Sequence, residues 1–351
     1  LWKPEIKGGL SMRIAIMGVG SLGTIAGAII TKSGRDVILI DANKENVEAL
    51  NKNGATITGT MDLNVPVKAI TPEEMDGIYD IVLYMVKQTY NEVALKQLLG
   101  HLGADSVVCT LQNGVPEDAV AEVVGKERTL GGTVGWGATW IGPGVSMLTS
   151  EVKNMTYDLG ELDGTTRERT IQVKEILDLI GETIIVPNLV GIRWTKLLVN
   201  STMSGMSAAL GCTFGEVLDN EKALTCAAHI GNEAILIAKA RGIVMEPLQG
   251  HDLTLLGFRT KKERAAKFPM YHAIFGPHRK LKASMLQDLE KGKKSEIDAI
   301  DGVVSEWGKK LNIPTPISDK VVEIVKGIEA GKYTYSFDNL KMFNIPEIPE
   351  E

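Results

Sequence analysis

The feature that most constrains this chain is Gly18-Val19-Gly20-Ser21-Leu22-Gly23, a GxGxxG run that directly follows an apolar stretch at residues 13–17 and opens a helical pattern over 22–33. In that setting each glycine has a separate task. Gly18 permits the tight turn, Gly20 lets backbone approach a pyrophosphate, and Gly23 lets the helix pack closely on the strand. A pyrophosphate is then met by free amides at the positive helix end, which makes Gly18, Val19, Gly20, Ser21, Leu22 and Gly23 the candidate cofactor loop. Asp41 ends the next apolar run, residues 36–40. A carboxylate about twenty residues after the glycines accepts from both ribose hydroxyls of NAD and repels a 2′-phosphate. Strand, glycines, helix and acid in register point to a Rossmann-type site for NAD or NADP, with NAD favoured. Lys44, three residues on, is a cation that could offset the repulsion.

The alternation of short apolar runs with longer amphipathic ones continues. Residues 45–53 read as a helix stopped by Gly54, and 80–85 and 106–111 as buried strands around a helix near 91–99. Both strands end at polar clusters, Val86-Lys87-Gln88 and Gln112-Asn113-Gly114, where the strand ends of a doubly wound sheet face their ligand. After Gly132, turn-rich segments containing Gly142-Pro143-Gly144 predict antiparallel strands up to Leu159, and 183–186 reads as a last strand. From Gly191 helical periodicity takes over, at 191–210, 220–241, 295–311 and 319–329. The chain has 351 residues, more than one domain of ordinary size. The expected class is α/β: an N-terminal Rossmann-type doubly wound sheet over 12–188, a mainly α-helical substrate domain over 189–332, and a poorly ordered or draped C-terminal extension over 333–351.

Composition removes other classes. A formal net charge of −6 repels phosphate backbones and anionic membranes, so neither nucleic acid nor membrane is an expected partner. Residues 1–11 are interrupted by Lys3, Pro4, Glu5 and Lys7 and lack the apolar core of a signal peptide. No stretch approaches the roughly 20 apolar residues of a spanning helix. Cys109, Cys212 and Cys226 are odd in number and widely spaced, as free buried thiols of a reducing compartment are. These features point to a cytoplasmic protein, and no His and Cys spacing suits a metal.

In the helical half, Lys196, Asn200 and Ser204 recur at intervals of four, close to one helical turn, so all three face one way. An ammonium, an amide and a hydroxyl in a row suit a substrate with a carbonyl, a carboxylate and a hydroxyl. A solvated face is the alternative, but Leu197, Leu198, Val199, Met203 and Met206 make this a largely buried helix, on which polar groups need partners. Ser295-Glu296-Ile297-Asp298 matches a capping box, with Ser295 as N-cap and Asp298 returning to its amide. That places Glu296 in a first helical turn, where its charge is favoured; read alone, it is a dipole-compensating surface residue.

Taken together, the GxGxxG run, Lys87, Leu111-Gln112-Asn113-Gly114, the run Trp194-Thr195-Lys196-Leu197-Leu198-Val199-Asn200, and Ala283-Ser284-Met285-Leu286-Gln287-Asp288 followed by Ser295-Glu296-Ile297-Asp298 resemble the ketopantoate reductase (2-dehydropantoate 2-reductase) family. They span nearly the whole chain in family order. The resemblance implies reduction of a small-molecule 2-oxo acid to a 2-hydroxy acid by hydride from the nicotinamide. It makes Lys196 the general acid and gives Glu296 the holding of substrate and lysine beside the cofactor. It also implies Asn113 at the nicotinamide end or the substrate, Asn200 and Ser204 at the substrate's polar groups, Ser284 at its carboxylate, Lys87 beside the cofactor, and it allows a homodimer. The chemistry is coherent, because a cation aimed at the oxygen stabilises the developing alkoxide more than the ketone.

Two positions depart from the family pattern. Ser204 stands where pantoate-forming members often carry a second asparagine, and Phe214, before Gly215-Glu216, where an asparagine is frequent. A lost hydrogen-bonding group and a gained aromatic wall would favour an apolar substituent over a hydroxymethyl one. The resemblance sets the expected substrate as ketopantoate or a related branched 2-oxo acid, and these two departures weigh against ketopantoate itself. The alternatives are an NAD-dependent D-2-hydroxy-acid dehydrogenase and a dinucleotide sensor without turnover, the latter opposed by Lys196, Asn200 and Glu296. Residues 251–282 are basic, with Arg259, Lys261, Lys262, Arg264, Lys267, Arg279, Lys280 and Lys282 near His272 and His278. They read either as a solvated charged helix or as an electrostatic lid over an anionic substrate.

Overall fold

The computed structural model describes residues 12–248 and 250–351; the reading of residues 1–11 lies outside them. Contacts divide the chain into two units. One runs to Gln112 and resumes over Pro116–Leu189; the other takes Asn113–Val115 and Val190–Glu351.

In the first unit, short runs such as Ile14–Met17 (β1) and Val37–Ile40 (β2) are apolar at every position because both sheet faces are covered. The remaining strands are β3 (Ala55–Gly59), β4 (Leu63–Val65), β5 (Lys68–Ile70), β6 (Tyr79–Tyr84), β7 (Leu102–Thr110), β8 (Thr129–Val134), β9 (Ala138–Gly142), β10 (Val145–Leu148), β11 (Thr156–Gly160) and β12 (Glu182–Ile185). Eight of them form one sheet in the order β12-β11-β8-β7-β6-β1-β2-β5, parallel except where β11 meets β8. The chain leaves β1 in one direction and returns through β6 on its other side, which creates the switch point where doubly wound sheets bind ligands. A second sheet, β4-β3-β10-β9, lies apart from it in hydrogen bonding.

Helices α1 (Ser21–Lys32), α2 (Lys44–Asn53), α3 (Asn91–Leu99), α4 (Glu117–Val124) and α5 (Glu168–Leu177) connect these strands. Gly54 ends α2 with φ 76°, as its lack of a side chain permits. Antiparallel pairing after Gly132 holds for β9 with β10 and for β11 with β8, whereas β10 also runs parallel to β3.

The second unit consists of helices with an isolated bridge between Leu248 and His251. They are α6 (Leu189–Val199), α7 (Met206–Leu210), α8 (Phe214–Asp219), α9 (Glu221–Ala240), α10 (Lys261–Phe275), α11 (Ser284–Glu290), α12 (Asp301–Leu311) and α13 (Pro316–Glu329). Asn220 caps α9 by accepting the amide of Ala223 at 3.0 Å, and the buried positions of α9 include Ala223, Ala227, Ala228, Gly231, Ala234 and Ala238, small residues that let neighbours approach closely. Cys109, Cys212 and Cys226 are buried and form no disulfide; burial pushes the thiols of Cys212 and Cys226 up to about 12.

Three expectations are corrected here. The helix over 191–210 is interrupted by a π turn, Asn200–Gly205, between α6 and α7. The helix expected from 295 starts six residues later, because the N–H and the hydroxyl of Ser295 both donate to Glu329, at 2.8 and 2.7 Å, instead of forming a local capping box. Ile300, with φ −112° and ψ −90°, separates a single 3-10 turn, Ile297–Ala299, from α12. The extension is draped and ordered. Leu340 and Phe343 are buried in the helical core, Ile345 and Ile348 pack on it, and the carbonyls of Pro349 and Glu350 accept the amides of Lys261 and Lys262 at the start of α10.

Candidate active site

The glycine loop sits where the sheet changes direction. Gly18 has φ 96°, and a methyl group there would lie 2.5 Å from the amide nitrogen of Val86 at the end of β6. Gly23 faces the carbonyl oxygen of Gly18, so it too has no room for a side chain. Gly20 differs: a methyl group on it would meet nothing within 4 Å. The amino end of α1 has no side-chain cap and no acidic residue in its first turn, which leaves its amides as donors. An open glycine at an uncapped helix start is what a pyrophosphate requires, so Gly18, Val19, Gly20, Ser21, Leu22 and Gly23 fit the dinucleotide.

Asp41 is half-buried at the end of β2. Its Oδ2 accepts the amide of Val19 at 2.7 Å and its Oδ1 that of Asn43 at 2.8 Å. Burial pushes its carboxyl up, and these two amides pull it back. Asn46, which the sequence reading missed, is buried beneath the loop. It donates to the carbonyl of Val19 at 2.9 Å and accepts the amide of Gly144 at 2.8 Å, tying the loop to the turn before β10.

Gln112 is buried at the end of β7 and donates to the carbonyl of Val86 at 2.5 Å and to Asn91 at 2.7 Å, which also accepts from Tyr84 at 3.1 Å. This network fixes the backbone before Lys87, which is half-buried at the start of a 3-10 turn. Gln112 was legible only as part of a polar cluster.

In the helical unit, Lys196, Asn200 and Ser204 are half-buried, while Leu197, Leu198, Ser201, Thr202 and Met203 between them are buried. Val199 is half-buried as well and packs on the helical core, so the stripe is the accessible polar line of a largely enclosed segment. In an α-helix a step of four residues overshoots one turn by about 40°, so a second such step would carry Ser204 further round. The π turn takes more residues per turn and returns Ser204 towards the line of Lys196.

Asn113 is exposed beside Gly114, which has φ 78°, and Val115 packs on the helical core. Ser284 is exposed as the first residue of α11, and α11 packs on the π turn. Glu296 is half-buried and precedes the 3-10 turn, outside any α-helical first turn. Phe214, expected as an aromatic wall, is buried in the helical core at the start of α8. Among the basic residues, Lys261 pairs with Glu350 at 2.6 Å, Lys262 with Glu351 at 2.8 Å, and Lys282 with Glu290 at 2.7 Å. These pairs favour a charged helix over a lid. Among the described residues no helix is long and apolar enough to cross a membrane, and no cluster of His, Cys, Asp and Glu suits a metal.

Residues 14–164 match the family described as ketopantoate reductase PanE/ApbA, and residues 188–329 match its C-terminal domain. The chain belongs to the PanE/ApbA ketopantoate reductase family. It is 29% identical over 321 residues to the 2-dehydropantoate 2-reductase of Pyrococcus horikoshii, and 28% identical over 326 residues to that of Streptococcus pyogenes. Each alignment covers 91% of this chain and 98% of the relative. A PanE/ApbA family ketopantoate reductase from Ralstonia eutropha shares the fold, with a TM-score of 0.79 at 24% identity over 92% of this chain and 99% of that one. As a PanE/ApbA member the chain is an oxidoreductase with an NAD(P)-binding Rossmann unit, acting on a 2-oxo or 2-hydroxy acid.

Proposed function

We propose that this protein reduces a branched 2-oxo acid, ketopantoate or a close analogue, and takes NADH in preference to NADPH. The observation that carries this reading is the half-buried polar line Lys196, Asn200 and Ser204 on a helix whose intervening residues are apolar or buried. When bound, the nicotinamide supplies a hydride to the carbonyl carbon. Lys196 gives a proton to the carbonyl oxygen as negative charge develops there, a contribution that grows towards the transition state. Asn200 and Ser204 hydrogen-bond the substrate's polar groups, Ser284 its carboxylate, and Glu296 orients lysine and substrate at the cofactor. Asn113 and Lys87 serve the nicotinamide end.

The preference for NADH rests on Asp41, whose oxygens keep lone pairs for ribose hydroxyls and repel a 2′-phosphate. With Phe214 in the core, Ser204 is the remaining departure near the proposed substrate groups, and ketopantoate stays within range. Asp41 also suits a second reading, NAD-linked oxidation of a D-2-hydroxy acid by the same residues.

The test is a panel of 2-oxo acids with NADH and NADPH, followed by the reverse reaction with the matching 2-hydroxy acids and NAD. Turnover of a branched 2-oxo acid is expected. Lys196→Ala should lower kcat by about 10²- to 10⁴-fold and leave NADH affinity unchanged. Full activity in that variant overturns the mechanism. NADH binding without turnover of any acid would instead identify a sensor.

A further inference from the structure

Asp301 opens α12 five residues after Glu296, and the structure encloses it completely. Neither carboxyl oxygen has a hydrogen-bond partner beyond the residue's own backbone amide. The group lies against Gly205, the last residue of the π turn: a methyl group on Gly205 would come within 2.7 Å of Oδ2 and closer still to Oδ1. Glycine at 205 and the carboxyl at 301 therefore share one space. An unpaired carboxylate in such a place costs several kcal/mol, so the group is held as the neutral acid. Burial pushes its carboxyl well up, and Glu233 of α9 pushes the same way. Glu233 itself accepts the amides of Ile317 and Ser318 and the Ser318 hydroxyl at the start of α13. Asp319 of α13 raises the Glu233 carboxyl further and is bonded to Ser305 and Thr315.

A π turn is a rare departure from the α-helix and survives where its surroundings fix it. Both α9 and α13 pack on this turn, and α12 packs on the 3-10 turn after Glu296. We propose that Asp301 is a positioning residue: its carboxyl seats the π turn through Gly205, keeping Asn200 and Ser204 in line with Lys196, and ties that alignment to the segment led by Glu296. What the aligned side chains accomplish rests on the proposed reductase function; the alignment itself does not.

Three variants test this: Asp301→Ala, which removes the carboxyl, Asp301→Asn, which keeps its shape without a charge, and Gly205→Ala, which fills its space. Amide exchange of residues 200–205 should quicken about tenfold in Asp301→Ala, and KM for the 2-oxo acid should rise about tenfold with a smaller change in kcat. Asp301→Asn should restore both to within about twofold of wild type, and Gly205→Ala should behave like Asp301→Ala. NADH affinity rests mainly on the glycine loop and Asp41 of the other unit and should change far less than KM. Damage by Asp301→Asn equal to that by Asp301→Ala overturns the proposal, as does wild-type exchange in Asp301→Ala. Should Asp301→Ala fail to fold, Asp301→Asn decides alone, since it must match wild type. A wild type inactive on every 2-oxo acid would sink the reductase reading, and the exchange comparison would still decide this one.

Discussion

The carboxylate of Asp41 takes the amide of Val19 at 2.7 Å, so the acid that ends β2 also fixes the middle of the glycine loop. One side chain thereby shapes the glycine loop and, in the proposed function, also receives the ribose.

Asp41→Ala should lose on both counts. A hydrogen bond to a charged group contributes about 1.5–3 kcal/mol, so NADH affinity should fall by about tenfold or more, and the preference over NADPH should narrow. Fluorescence titration with both cofactors measures this. Unchanged NADH affinity would remove Asp41 from the site.

Gly20 and Gly23 separate binding from folding. Gly20→Ala enters open space, so stability should stay within about 0.5 kcal/mol while NADH binding weakens, because the added methyl occupies the pyrophosphate's approach. Gly23→Ala drives a methyl into the Gly18 carbonyl and should cost about 1–3 kcal/mol of stability. Urea unfolding beside cofactor titration distinguishes the two.

Glu233 makes stability depend on pH. Burial pushes its carboxyl from 4.5 to about 7. Because the folded-state value is raised, the contribution is fully present below the unfolded value and is lost as pH rises through 7. The loss is on the order of 3 kcal/mol. Urea midpoints should fall between about pH 5 and pH 8, and Glu233→Gln should reduce that slope, leaving the part that Asp301, also raised by burial, contributes with the same sign. An unchanged slope in the variant would remove Glu233 as a source.

Phe214 belongs to the helical core. Phe214→Ala should cost about 3 kcal/mol through the cavity it leaves, with the order of preference among 2-oxo acids unchanged. A reordered preference in a still-folded variant would return Phe214 to the substrate.

The nucleotide loop is legible in the sequence because its signal is local: a strand, three glycines and a helix start lie within about a dozen residues of one another. Strands β3, β4 and β5 are three to five residues long and only partly buried, too short for a two-residue period to stand out. The π turn is hidden for another reason, since Lys196, Asn200 and Ser204 are spaced by four whichever way the helix winds. At Ser295 the local pattern misleads, because the partner that takes its donors is Glu329, 34 residues away. Separation in sequence also conceals how Asn46 supports Val19, 27 residues away, and how Asp301 meets Gly205.

The carbonyls of Pro349 and Glu350 complete the first turn of α10, while Glu350 and Glu351 hold Lys261 and Lys262. Clipping those few residues would fray that helix from its beginning and strip Lys262 of its carboxylate, while Lys261 keeps Glu347 at 3.7 Å. The surface at the start of α10 would then carry more positive charge.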